Sequence, residues 1–87
     1  MGYTKVRVHY KEAIRTIDPE RKMTITLTKK VIEAGEKNGF SSLTVTTETD
    51  SWWYGPAKHI AIKSGSTVLL KREVPNFIER VLSYEWL

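Results

Sequence analysis

Hydrophobic and polar residues alternate in the middle of the first half of the chain, and the period of the pattern then changes. Met23, Ile25 and Leu27 alternate with threonines, which is typical of a strand with one buried face. From Thr28 the apolar positions follow helical spacing, and Asn38-Gly39 suits the end of a helix because both residues tolerate a left-handed backbone. The sequence therefore predicts a strand that runs directly into an amphipathic helix.

A second alternating stretch precedes this unit, because residues 6–10 alternate valine or tyrosine with polar side chains. Continued alternation would turn Glu12 into the core, so we predict a bulge near Lys11-Glu12 that restores the register and lengthens the strand. A helical turn over residues 12–17 is the alternative. Asp18-Pro19 favours a turn, and the two strands then form an antiparallel hairpin.

The second half of the chain contains three more predicted strands and, at its end, a second predicted helix. The strands cover residues 43–47, 59–63 and 67–71. Pro75 suits the first turn of a helix, and Asn76 suits its N-cap. The apolar residues that follow recur at helical spacing, and they are Phe77, Ile78, Val81, Leu82 and Trp86.

These elements predict a single α+β domain over residues 1–87, with the element order β-β-α-β-β-β-α. We expect a mainly antiparallel sheet of four to five strands, because short turns join most of the successive strands. Each predicted helix has one apolar face, so we expect the two helices to pack on one face of the sheet. The opposite face would then be open to solvent.

The composition narrows the class of protein. The chain has 40% hydrophobic and 28% charged residues, no cysteine, and no apolar run long enough to span a bilayer. The first residues lack an apolar signal segment, so we expect a cytoplasmic protein without a membrane partner. Without cysteine, the chain has no disulfide, no thiolate metal site and no cysteine nucleophile.

The net charge of +4 is unevenly distributed, since the first 30 residues carry eight Lys or Arg against three Asp or Glu. Arg7, His9 and Lys11 share the polar face of the first strand, and Lys22 begins the neighbouring strand. A basic sheet face of this kind can hold phosphate groups, with counterion release adding to the affinity. The alternative is an ordinary solvated antiparallel face, on which Lys, Arg and Thr are common.

Three consecutive aromatic residues, Trp52, Trp53 and Tyr54, form the most unusual local feature of the sequence. They cannot all point into one core from an extended segment, so we expect at least one ring to reach the surface. Together with Lys58 they would form a stacking platform for the bases of single-stranded DNA or RNA. The alternatives are that the rings pack on the edge of the core or anchor a protein interface.

Signals for catalysis are few. We find no phosphate-binding loop, dinucleotide fingerprint, zincin motif or serine-hydrolase motif, and we predict no enzyme activity, cofactor or metal site. Glu48, Asp50 and His59 have the donor atoms for a divalent metal, but loop carboxylates are usually solvated. We therefore expect a small basic protein that binds nucleic acid or has a regulatory role. The alternatives are a protein-interaction module, acting as a homodimer or as an inhibitor of a larger protein, and an engineered scaffold without evolved activity.

Overall fold

The computed structural model describes residues 2–13, 19–49, 52 and 54–87. Within them, a helix α1 (Lys29–Asn38) and a 3-10 turn (Phe40–Ser42) connect the second strand of a sheet to the third. The five strands are β1 (Lys5–Glu12), β2 (Glu20–Thr26), β3 (Leu43–Glu48), β4 (Ala57–Ser64) and β5 (Thr67–Trp86). Their order across the sheet is β2-β1-β5-β4-β3, and every neighbouring pair is antiparallel.

The strand and helix that the change of period predicts are both present. Thr28 is the N-cap residue with an extended backbone, and α1 begins at the next residue. The helix ends at Asn38, after which Gly39 has a φ of 90° and donates its N–H to the carbonyl of Gly35 at 2.7 Å. Residues with a side chain avoid this backbone conformation, so a glycine is required where the chain leaves the helix.

The C-terminal half of β5 occupies the segment in which the sequence predicts a second helix. The strand is 20 residues long and changes neighbour along its length, because it pairs first with β4 and then with β1. Ile78 lies where β5 changes its neighbouring strand, and it is paired with both Ala57 of β4 and Glu12 of β1. Pro75 lies just before Ile78, in a part of β5 that has no paired residues in β4. The N–H that proline lacks is therefore not needed for a hydrogen bond between β4 and β5.

The fold-class prediction is therefore wrong in its second helix and in the pair of helices on one face. Relative to β1, β5 carries two extra residues, Glu79 and Leu82, that have no cross-strand partner. Each extra residue shifts the alternation of β5 by one position. The residues opposite the inward positions of β1 are consequently Ile78, Val81, Tyr84 and Trp86. Two of the three steps between them are three residues long, which is close to the helical period. The apolar residues of this bulged strand therefore have nearly the spacing of an amphipathic helix.

One apolar cluster joins the helix to the sheet. Alternate residues of β1 are buried, beginning with Val6, and they share the cluster with the fully buried Val31 of α1. The ring of Phe40 packs on the ring of Trp86 with 5.4 Å between centroids, and Trp86 is the cross-strand neighbour of Val6. The helix and the 3-10 turn thus lie on the Val6 face of the sheet, and Arg7 points to the opposite face.

Candidate functional site

Three rows of side chains cross β2, β1 and the C-terminal half of β5 on the face of the sheet opposite the helix, and we call this three-strand part of that face the open face. Each row contains one residue from β2, one from β1 and one from the C-terminal half of β5, as the strand registers place them. The rows are Thr24, Arg7 and Glu85; Lys22, His9 and Ser83; and Glu20, Lys11 and Arg80. Neighbouring strands lie about 4.8 Å apart, so side chains within a row are close enough to share one ligand.

An Arg–Glu ion pair and a His–Glu contact lie on the open face, and both are at the surface. Arg7 Nη1 lies 3.6 Å from Glu85 Oε1, and His9 Nε2 lies 2.7 Å from Glu20 Oε1. The glutamate side chains are 65% and 60% exposed, so each pair contributes at most about 1 kcal/mol and can open for a ligand.

The open face is positive within the described part of the chain. It carries five permanent cations, Lys5, Arg7, Lys11, Lys22 and Arg80, against two carboxylates, those of Glu20 and Glu85. Among the described residues, no carboxylate oxygen lies within 4 Å of the side-chain nitrogens of Lys11, Lys22 or Arg80. These three cations are available to a polyanion.

A shallow depression of about 240 Å³ lies in the open face. Its lining comes from three strands and combines donors with one carboxylate. The lining residues are Arg7, His9, Lys22, Ser83, Tyr84 and Glu85.

The structure brings four of the predicted binding residues together, because Arg7, His9, Lys11 and Lys22 all lie on the open face. Two further cations were missed. Lys5 has the same parity as Arg7 and lies opposite Thr26, so the alternation of β1 could have identified it. Arg80 could not be identified, since its segment was assigned to a helix.

The aromatic loop lies between β3 and β4. Trp52 is 73% exposed and Tyr54 is 96% exposed, whereas Trp53 lies outside the described residues. Lys58 is not part of the three rows, and its Nζ lies 5.2 Å from the centroid of the Phe77 ring.

The position of Phe77 shows to which end of the open face the loop belongs. Its carbonyl accepts the N–H of Ala13 at 2.9 Å, and Ala13 follows the last residue of β1. Lys58 and the loop before it therefore lie at the end of β1 that carries Lys11.

The other face of β1 carries a buried carboxylate. Glu12 is 3% exposed, and its two oxygens accept hydrogen bonds from Arg21 Nε at 3.0 Å and from Asn76 Nδ2 at 3.1 Å. The Arg21 hydrogen bond, followed by that from Asn76, lowers the pKa of Glu12 below its ordinary value despite burial. Burial, followed by the Glu12 charge, raises the pKa of Tyr10. Glu12 thus connects β1, β2 and β5 from inside the molecule.

This arrangement corrects two predictions. The alternation of β1 continues to Glu12 without an extra residue in β1, and the unpaired residues are in β5 instead. Asn76, predicted as a helix N-cap, lies in β5 and donates to Glu12. The predicted strand extension and the alternative helical turn fall largely on residues 14–18, which lie outside the described residues.

A metal site is not found in the part of the chain that the structure describes, since no group of three or more metal-ligating side chains is present there. Glu48 and His59 are cross-strand neighbours, but Glu48 Oε2 lies 4.0 Å from Lys63 Nζ, and Asp50 lies outside the described residues.

No helix in the described ranges has the length and apolar character required to cross a membrane. Comparison of the chain with protein-family models, with curated proteins and with solved structures gave no significant match.

Proposed function

We propose that this protein binds single-stranded nucleic acid across the open face. The observation that carries the proposal is the charge of that face, where five permanent cations stand against two carboxylates while α1 packs on the other face of the sheet. Phosphate neutralisation by Lys and Arg supplies most of the affinity of sequence-independent binding. Thr24 and Ser83 add hydroxyl donors to phosphate oxygens between these cations.

The exposed loop favours a single strand over a duplex. Trp52 and Tyr54 extend from the end of the sheet with most of their surface in water, so their rings can stack on unpaired bases. Each such stacked base contributes about 1–3 kcal/mol and requires no particular sequence. A duplex hides the faces of its bases, and the helix α1 lies on the other face of the sheet, so it cannot enter a major groove from the open face.

Charge reversal on the open face tests the proposal. Lys11→Glu with Lys22→Glu replaces two unpaired cations, and Lys30→Glu with Lys37→Glu makes the same change of charge on exposed residues of α1. We expect the first pair to weaken binding of a fluorescent oligothymidylate by at least about tenfold at 50 mM salt, and the control pair to change it much less.

The salt dependence gives a second measure from the same titration. Each lost phosphate contact should reduce the slope of log affinity against log salt by about 0.7 for a single strand. If both double variants lose the same affinity for the oligonucleotide, binding depends only on net charge, and the proposal that it takes place on the open face is wrong. Circular dichroism of the two double variants checks that both are folded.

A protein partner is the second candidate, and the exposed aromatic residues near the C-terminal end of β5 favour it. Tyr3, Tyr84 and Leu87 are each 38–44% exposed, and Tyr3 and Tyr84 flank the packed rings of Phe40 and Trp86. Tyr and Trp are enriched among the residues that dominate protein interfaces. Association with a protein through this surface should persist at high salt, whereas binding to a polyanion should weaken. Size-exclusion chromatography at about 50 and about 500 mM salt distinguishes the two.

A further inference from the structure

We propose that the depression in the open face binds a terminal phosphate, that is, a phosphate monoester at the end of a nucleic-acid strand. This inference rests on the proposed function and adds a specific subsite to it. The depression is lined by side chains from three neighbouring strands, and Lys22, His9 and Ser83 cross it in one row. Arg7 lies in the adjacent row of the same lining.

The donors match the oxygens of a monoester. A phosphate monoester carries close to two negative charges near neutral pH and presents three strong acceptor oxygens. Arg7 and Lys22 supply two permanent positive charges, the Ser83 hydroxyl supplies a neutral donor, and His9 lies between Lys22 and Ser83. A diester within a strand carries one charge and leaves part of this donor set unused.

The two carboxylates favour an end of the strand over its interior. Glu85, which is itself at the edge of the lining, occupies the first row and Glu20 the third, at opposite corners of the open face, with the Lys22, His9 and Ser83 row between them. A strand that passed through the depression in both directions would bring a phosphate near each corner, where the like charges repel. A terminal phosphate has one neighbouring phosphate, which can lie beside Lys11 and Arg80.

Arg7 is able to change partner when the phosphate arrives. Its contact with Glu85 is long, at 3.6 Å, and the two side chains are 50% and 65% exposed. A guanidinium forms a shorter and stronger bidentate contact with phosphate than it has with this carboxylate. The shorter His9–Glu20 contact, at 2.7 Å, holds the imidazole at the rim between β1 and β2.

The test uses oligothymidylates of one length that carry a 5′-phosphate, a 3′-phosphate or hydroxyls at both ends. We expect one of the phosphorylated forms to bind the full chain about tenfold more tightly than the hydroxyl form at low salt. Lys22→Gln and Ser83→Ala should each reduce that preference. Lys11→Gln, outside the depression, should weaken all three oligonucleotides alike and leave the preference unchanged.

The outcomes separate the subsite from the proposed function. Equal affinity for the three oligonucleotides would overturn the terminal-phosphate site while binding to the open face stood, and absence of binding to all three would overturn both. A titration with inorganic phosphate, monitored by the NMR chemical shifts of the backbone amides of residues 7, 9, 22 and 83, shows whether the depression binds the free anion. Shifts at these amides with no preference among oligonucleotides would assign the depression to free phosphate and overturn the strand-end proposal.

Discussion

Replacing Arg21 with methionine should destabilise the protein by about 2–3 kcal/mol at pH 7. The substitution retains much of the apolar stem but removes the guanidinium that donates to Glu12 at 3.0 Å. Glu12 is 3% exposed, so its carboxylate would stay buried with Asn76 as its remaining side-chain donor. Removing one partner of a buried ion pair costs about 3–5 kcal/mol, and a smaller value applies here because the Arg21 side chain is 57% exposed.

The pH dependence that Glu12 gives to stability should become weaker in this variant. In the native protein the pKa of Glu12 is lowered, chiefly by Arg21 and then by Asn76, so its contribution is complete above its ordinary value of 4.5 and disappears as the pH falls through the depressed pKa. Without Arg21, the hydrogen bond from Asn76 still lowers the pKa of Glu12 and burial opposes it, so the pKa is lowered less than in the native protein. The stability that the native protein owes to Arg21 is lost as Glu12 is protonated, so the two proteins should approach each other in stability as the pH falls below 4.5, between pH 7 and pH 3.

Urea denaturation followed by tryptophan fluorescence measures this difference at both pH values. Arg80→Met is the matched control, since Arg80 has no carboxylate within 4 Å among the described residues, and we expect it to change stability by less than about 0.5 kcal/mol. Adding Glu12→Gln to Arg21→Met should restore stability at pH 7, because it removes the buried charge. A loss for Arg21→Met that is below about 1 kcal/mol at pH 7, or that is the same at pH 3 and pH 7, would refute the reasoning.

Gly35 within α1 and Gly39 directly after it give further predictions. At Gly35 an added Cβ would meet the Phe40 ring at 2.4 Å, and that ring also contacts Tyr3 and Trp86. Gly35→Ala should therefore destabilise the protein by about 1–2 kcal/mol in chemical denaturation, because overpacking outweighs the roughly 1 kcal/mol gain in helix propensity. In a Phe40→Ala background, the same change should become stabilising. At Gly39 an added Cβ would meet only Ser41 Oγ, at an ordinary contact distance of 3.7 Å, but the backbone φ is 90°, so thermal melting of Gly39→Ala should show a loss of about 1–3 kcal/mol from backbone strain.

The comparison of sequence with structure shows where a periodic pattern is reliable. The hairpin of β1 and β2 has an uninterrupted register over seven residue pairs, so simple alternation identified both of its faces. The C-terminal half of β5 has two bulges against β1, and its inward positions 78, 81, 84 and 86 follow neither the strand period nor, throughout, the helical one. Bulges are set by contacts with a partner strand more than 60 residues away in the sequence, and one chain segment read alone does not reveal them.

Glu12 shows the same limit for a single side chain. Alternation alone placed it in the core, but burying a carboxylate is unfavourable without partners, so a bulge was the local solution. In the structure the buried carboxylate instead accepts hydrogen bonds from Arg21, nine residues away in the sequence, and from Asn76, 64 residues away. The second partner depends on β5 being a strand, so the error over the C-terminal helix and the error over Glu12 have one origin.

The candidate site separates into a part that local sequence determines and a part that it does not. The positive sign of the open face comes from β1 and β2, since β5 adds Arg80 and Glu85, whose charges cancel. A basic face was therefore predictable although the C-terminal segment was misassigned. The depression depends on Ser83 and Glu85, which follow the bulge at Leu82 and pair with His9 and Arg7 of β1. Deleting Leu82 would remove the bulge but keep Ser83 opposite His9 and Glu85 opposite Arg7, so we expect both the preference for a terminal phosphate and the salt-dependent binding through Lys11 and Lys22 to persist.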